Sequence, residues 1–212
     1  MKYNADKPLR LLRQLAENAH QLQKLSCDLT GTNPKMALEK IIRERPTLTS
    51  LKVEGLPTEA VGLKYFDALA ENNNLKKLNL IFLRLDERTI SKQEPDHFPV
   101  KGNMSIETLK IKLFSSSRPQ SIATPQWRSF FNLFGSVGSL TIEQADLSTD
   151  ATFLRDIVRE MPRLTTLHLR KCVLKVPTLS NLCEELSSEE EQRCQIQDLL
   201  IDFDKDINDA KL

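Results

Sequence analysis

Glycine is scarce in this 212-residue chain: there are six, and none is arranged as Gly-x-Gly-x-x-Gly or Gly-x-Ser-x-Gly. That removes the phosphate-cradling loops of nucleotide-binding folds and the nucleophile elbow of hydrolases. His-x-x-x-His and Cys-x-x-Cys are missing, and neither His20 nor His97 sits in a cluster with ligand spacing, so no metal and no cofactor are expected. Cys27, Cys172, Cys183 and Cys194 show no paired spacing that would suggest disulfides. Charge of one sign is missing too, since 30 Lys and Arg meet 29 Asp and Glu. Without a global field the chain is not expected to bind nucleic acid or a membrane surface, and charge-driven recognition has to come from local patterning. No apolar run is long enough for a transmembrane helix. The start, Met1-Lys-Tyr-Asn-Ala-Asp-Lys-Pro8, lacks the apolar stretch of a signal peptide. The expected setting is intracellular, cytoplasmic or nuclear, with reduced thiols, and the sequon Asn103-Met-Ser105 is then a chance match.

What the chain does contain is repetition. Ile157-Val-Arg-Glu-Met-Pro-Arg-Leu-Thr-Thr-Leu167 matches Ile41-Ile-Arg-Glu-Arg-Pro-Thr-Leu-Thr-Ser-Leu51 at seven of eleven positions. A Leu-x-x-Leu-x-Leu signature, with apolar substitutes, falls at Leu22/Leu25/Cys27, Leu48/Leu51/Val53, Leu75/Leu78/Leu80 and Ile106/Leu109/Ile111. It recurs at Val137/Leu140/Ile142, Leu164/Leu167/Leu169 and Ile196/Leu199/Ile201. Its first position returns every 26 to 32 residues, which is room for one strand and one helix per unit.

Helices are legible between the strands. Apolar stripes at helical spacing run through Leu9, Leu12, Leu15, Ala16 and Ala19; Met36, Leu38, Ile41 and Ile42; Val61, Phe66, Leu69 and Ala70; and Phe153, Leu154, Ile157 and Val158. Asn33-Pro34 and Thr124-Pro125 each place a capping side chain before a proline at the first helical position. Pro46 and Pro162 stop two helices at the same place in the repeat. Trp127, Phe130, Phe131 and Phe134 recur at i, i+3, i+4 and i+7, the spacing of a core stripe rather than an aromatic binding patch. The segment 86–105, with Pro95, Pro99 and Gly102, shows no helical stripe and reads as a loop, as does 115–124.

In a strand, side chains alternate, so positions 4 and 6 of each signature face the core and positions 3, 5 and 7 face away. The outward set includes Lys52, Lys77, Asn79, Ile81, Lys110, Lys112, His168 and Arg170, which form the candidate partner-binding surface. Lys52, Lys77, Lys110, Lys112 and Arg170 are expected to make a positive strip, with Ile81 as an apolar point in it and His168 as a solvated face residue. The last strand, with Asp198, Leu200 and Asp202 outward, is acidic. Such a strip suits an acidic segment or surface of a protein partner.

The strand signature, with Cys172 at its ninth position, resembles the ribonuclease-inhibitor-like and cysteine-containing leucine-rich repeats, over about residues 8–203. The resemblance implies an α/β fold: a right-handed solenoid, or horseshoe, of about seven strand–helix coils with a curved parallel sheet. It implies one domain over 1–212, with 1–21 as an N-terminal capping helix, 22–203 as repeats and 204–212 as a polar tail. The sequence departs from the family at position 9, which is Thr30, Leu56, Leu83, Phe114, Ala145, Cys172 and Asp204, so the usual Asn or Cys ladder is largely missing. Repeats of this kind occur in F-box substrate receptors of ubiquitin ligases and in bacterial effectors that imitate them. The function implied is a non-enzymatic scaffold for protein–protein interaction, either a host protein or an effector injected into the host cytosol. The alternative is the substrate-recognition part of an F-box receptor. An F-box needs its own segment ahead of the repeats, typically opening on Leu-Pro, and residues 1–21 offer one helix and no such pair. Some bacterial relatives of this type are ubiquitin ligases with a catalytic cysteine in a separate helical domain. Here Cys27 and Cys172 fall at packing positions and no catalytic residue is assigned.

Overall fold

The computed structural model describes residues 6–30, 35–57, 65–83, 105–114, 119–187 and 195–203. The expectations placed on Asn33-Pro34, on the loops 86–104 and 115–118, on Cys194 and on the tail 204–212 lie outside the described residues.

Seven of the strands make one parallel sheet in which spatial order follows chain order. They are β1 (Lys24–Asp28), β2 (Ser50–Pro57), β3 (Lys77–Leu83), β4 (Thr108–Phe114), β6 (Ser139–Glu143), β8 (Thr166–Cys172) and β9 (Asp198–Phe203). Each begins at position 3 of its signature. Two short strands, β5 (Gln120–Ser121) and β7 (Ala145–Asp146), pair with each other in a second small sheet, and a single bridge from Asp146 to Val173 extends that line by one unit. Parallel neighbours need a crossover. Helices α2 (Lys35–Glu44), α3 (Tyr65–Glu71), α4 (Pro125–Phe131), α5 (Phe153–Glu160) and α6 (Val176–Ser187) lie in five of the six crossovers, the connection from β3 to β4 falling largely outside the described residues, and α1 (Asp6–Asn18) precedes β1. The buried residues of strands and helices form one hydrophobic core.

The register explains why this sequence stacks. Leu25, Leu51, Leu78, Leu109, Leu140, Leu167 and Leu199 stand side by side across the sheet, as the repeat arithmetic requires. Leu51 and Leu167 are buried, as expected. Just ahead of the strands, the carbonyl of signature position 2 in one unit accepts two backbone N–H groups from the next. Gln23 O takes Thr49 and Ser50, and Thr49 O takes Lys76 and Lys77; the pattern continues through Lys76, Glu107, Gly138 and Thr165. Every unit therefore templates its successor through the main chain, whatever its side chains.

Side chains tie the turns before the strands. Buried Asn72 donates from Nδ2 to Ile42 O (2.7 Å), while its Oδ1 accepts from the N–H groups of Asn74 (2.9 Å) and Leu75 (3.1 Å). Ser105 donates to Leu75 O (2.8 Å), and Thr47 to Leu22 O (2.9 Å). These groups satisfy carbonyls that would otherwise be stranded beside the core. Thr124 caps α4 by accepting from Trp127 N (3.5 Å), and Pro125 opens the helix. Trp127, Phe130, Phe131 and Phe134 are buried and meet largely edge-to-face, with Trp127 also against Phe82 and Phe131 against Phe153. They are core, not a binding patch.

On the helical side, successive helices are joined by arginines. Arg43 of α2 bonds Glu71 of α3, Arg128 of α4 bonds Asp156 of α5 and also Asp150, and Arg159 of α5 bonds Glu185 of α6 at 2.6 Å. Arg159 is thus paired with the following helix.

Gly55 marks the one irregularity between β2 and its neighbours. Its φ is +75°, and the β2–β3 register shifts between Val53 and Leu56. A Cβ at this position would stand 2.5 Å from Thr30 N and 2.6 Å from Thr30 Oγ1, so only glycine lets the end of β1 close onto β2. Thr30 is itself held by Asp28, whose carboxylate accepts from Thr30 N (2.9 Å) and Oγ1 (2.6 Å). Those two hydrogen bonds keep the Asp28 carboxyl below its ordinary range.

Candidate functional site: the open face of the sheet

The sheet's two faces differ completely. Along β4 and β6, every second residue is buried and the residues between are not. No outward residue of the seven strands is buried, and the described helices contribute their buried residues to the opposite side. A purely parallel sheet ordinarily has both faces covered, because its crossovers run over both. Among the described residues the crossovers leave one face bare, which the alternating sequence of the strands permits.

Registration arranges the outward side chains in rows that cross the strands. One row reads Lys24, Ser50, Lys77, Thr108, Ser139, Thr166 and Asp198. The next reads Ser26, Lys52, Asn79, Lys110, Thr141, His168 and Leu200. A third carries Ile81, Lys112, Glu143, Arg170 and Asp202. All eight sequence-derived candidates, Lys52, Lys77, Asn79, Ile81, Lys110, Lys112, His168 and Arg170, therefore share this face. Small hydroxyl side chains at Thr108, Ser139, Thr141 and Thr166 make a low polar floor between the longer residues.

Their electrostatics reduce the charge of the expected positive strip without abolishing it. Lys110 and Lys112 both reach Glu143, at 2.8 and 3.1 Å, and Lys52 is bonded to Glu54. Burial alone would raise the Glu143 pKa, but the hydrogen bonds and charges of the two lysines outweigh it, and the carboxyl lies below its ordinary value of 4.5. Three of the five cations in the strip are thus ion-paired within the face, two of them sharing the single carboxylate of Glu143. Lys77 and Arg170 are the ones that carry no ion pair among the described residues. Glu54 and Glu143 are outward residues of the same strands; reading the lysines without their lateral neighbours is what overstated the charge.

His168 also departs from expectation. It is not merely solvated: its Nε2 lies 2.9 Å from Asp198 Oδ2, on the next strand. Ile81 is half-buried, less available than an apolar anchor would be, whereas Leu200 is exposed. Asn79 joins this face through its position in β3. Its Oδ1 is enclosed and has no hydrogen-bond partner among the described residues, although it stands in the row between Lys52 and Lys110.

Of the thiols, Cys172 is buried in the core and Cys27 is half-buried against it. Burial pushes Cys27 and Cys172 up to about 11, with Asp28 adding to the effect at Cys27, so neither is a thiolate near neutrality. Among the described residues no group of His, Cys, Asp and Glu is placed to hold a metal ion, and no helix is long and apolar enough to cross a membrane. In comparison with known proteins, no family model matches this sequence, and no curated protein is similar enough to count as a relative.

Proposed function

We propose that the chain is a leucine-rich-repeat solenoid that acts as a non-enzymatic scaffold, binding a protein partner across the open face of its sheet. The observation that carries this reading is a seven-stranded, purely parallel sheet with one face that no described residue covers. Repeat proteins that stack one strand per unit use such a surface for recognition, because curvature of the stack presents it as an extended concave wall. The regular strand signature and the unit-by-unit main-chain templating support the solenoid part of the reading. A scaffold needs neither nucleophile nor metal, and the raised thiols of Cys27 and Cys172 fit that.

The mixed charge of the face refines the partner. A uniformly acidic surface would have to compete with Glu54 and Glu143 for their lysines. The complementary partner carries carboxylates spaced to meet Lys77 and Arg170, with uncharged hydrogen-bonding groups over the hydroxyl floor between them. To test this, a photo-crosslinking residue is placed at Thr141 on the face and, separately, at Lys40 on α2. The protein captured from Thr141 is then purified and titrated against wild type, the double variant Lys77→Glu/Arg170→Glu, and Lys40→Glu. Binding should weaken about tenfold or more in the double variant, lose much of its salt dependence, and stay unchanged for Lys40→Glu. Unchanged affinity in the double variant, or loss in Lys40→Glu, places recognition elsewhere.

A further inference from the structure

The last strand breaks the burial rule that its neighbours obey. Six leucines in register with Leu199 are at most 7% exposed, yet Leu199 itself is 40% exposed. Leu200, on the other face of β9, is 39% exposed, and Ile196 and Ile201 are only half-buried. β9 pairs with β8 along one side, and no described strand lies along the other. An edge whose main chain has no partner among the described residues, with apolar side chains on both faces, accepts an added strand.

Charge decides what kind of strand fits. β9 presents Asp198, Leu200 and Asp202 on the open face, and Leu199 and Ile201 on the core side. A second copy of β9 is a poor occupant. Antiparallel self-pairing with matched faces and its centre at Leu200 sets Asp198 against Asp202 twice, and moving the centre to Leu199 or Ile201 sets an aspartate against Leu200 instead. Like charges directly opposite are destabilising, and so is a carboxylate desolvated against leucine. The β1 edge of another copy, added in parallel to continue the register, gives one favourable pair, Lys24 with Asp198, but places Asp28 against Asp202. The chain's own β8 shows what does fit: Arg170 stands opposite Asp202, and Leu167 and Leu169 stand opposite Leu199 and Ile201.

We propose that the β9 edge is a docking site for an extended segment of another protein with the pattern cation, apolar, apolar, apolar, cation. The two cations meet Asp198 and Asp202, the middle residue covers Leu200, and the residues between them cover Leu199 and Ile201 and complete the core at this end. Asp198 keeps one oxygen on His168 and offers the other. Because the aspartates flank Leu200 symmetrically, the charges accept a segment running in either direction. This site is separate from the open-face reading and does not depend on it.

Two fluorescein-labelled peptides test the proposal on the full chain. Both carry Gly-Ser flanks, one around Lys-Val-Leu-Val-Lys and the other around Glu-Val-Leu-Val-Glu, and both are titrated by anisotropy. The lysine peptide should bind saturably, about tenfold or more tighter than the glutamate peptide, and weaken with salt. In the double variant Asp198→Lys/Asp202→Lys the preference should invert, which shows that the variant is folded and that the charges select the ligand. Lys77→Glu should leave binding unchanged. Equal affinities for the two peptides, no binding at millimolar concentration, a preference that does not invert, loss of binding in Lys77→Glu, or a dimer that protects the β9 amides from hydrogen exchange would each overturn it.

Discussion

Leu167 and Leu199 occupy the same position of adjacent units and face each other in the sheet, so truncating each to alanine isolates the effect of the stack's end. Leu167 is fully buried between β6 and β9. Leu167→Ala loses the transfer free energy of the removed atoms and leaves a cavity that its close-packed neighbours only partly fill, so about 3–4 kcal/mol is expected. Leu199 is 40% exposed, so three-fifths of a full leucine burial is at stake and water reaches the space left behind. With about 2 kcal/mol for the whole side chain, Leu199→Ala should cost about 1 kcal/mol. Urea unfolding of both variants, followed by far-ultraviolet circular dichroism and by fluorescence of Trp127, measures the difference. Trp127 is the single tryptophan and is buried in the middle of the stack, so coincident midpoints by the two probes would also show that the units unfold together. A cost for Leu199→Ala within about 0.5 kcal/mol of that for Leu167→Ala would refute the reasoning, because it would mean that Leu199 is fully covered in solution.

Gly55→Ala should lower stability by about 2–3 kcal/mol, combining the positive φ with a Cβ pressed onto Thr30 backbone; Gly135→Ala, whose Cβ would meet Glu160 O at 3.7 Å, should change the melting temperature little. Asp28, Glu143, Asp150 and Asp156 all have lowered pKa values. At Glu143, Asp150 and Asp156 burial opposes this, and hydrogen bonds and opposite charges from Lys110, Lys112, Arg128 and Thr152 overcome it. Their contributions are complete above the ordinary values of 3.8 and 4.5 and are lost as pH falls from there through the folded values, so unfolding free energy should decline below pH 4.5. Glu143→Gln should flatten that decline; an unchanged slope would remove the Lys110–Glu143–Lys112 cluster from the account. In thiol titration at pH 8, exposed Cys183 should react quickly, whereas Cys172 should react only on unfolding.

Much of the fold was legible because it is periodic. The spacing of Leu22, Leu48, Leu75, Ile106, Val137, Leu164 and Ile196 located seven strands, and Thr124-Pro125 located the start of α4, since caps and alternation depend on residues close in sequence. The outward assignment of Lys52, Asn79, Lys110 and His168 held for the same reason: a strand's period of two is a local rule. Asn72 and Ser105 escaped notice, because what they satisfy is Ile42 O and Leu75 O, some thirty residues back.

Sequence alone determined that this chain alternates strands and helices, which side chains leave the core, and that Cys27 and Cys172 sit at packing positions. Tertiary structure decided which outward charges remain available. Glu143 falls between Lys110 and Lys112 only because β4 and β6 are neighbours in one register, and no count along the chain contains that distance. It also decided that Leu199, alike in pattern to Leu167, is exposed. Burial is a property of what stands on both sides of a strand, and β9 has a described neighbour on one side only.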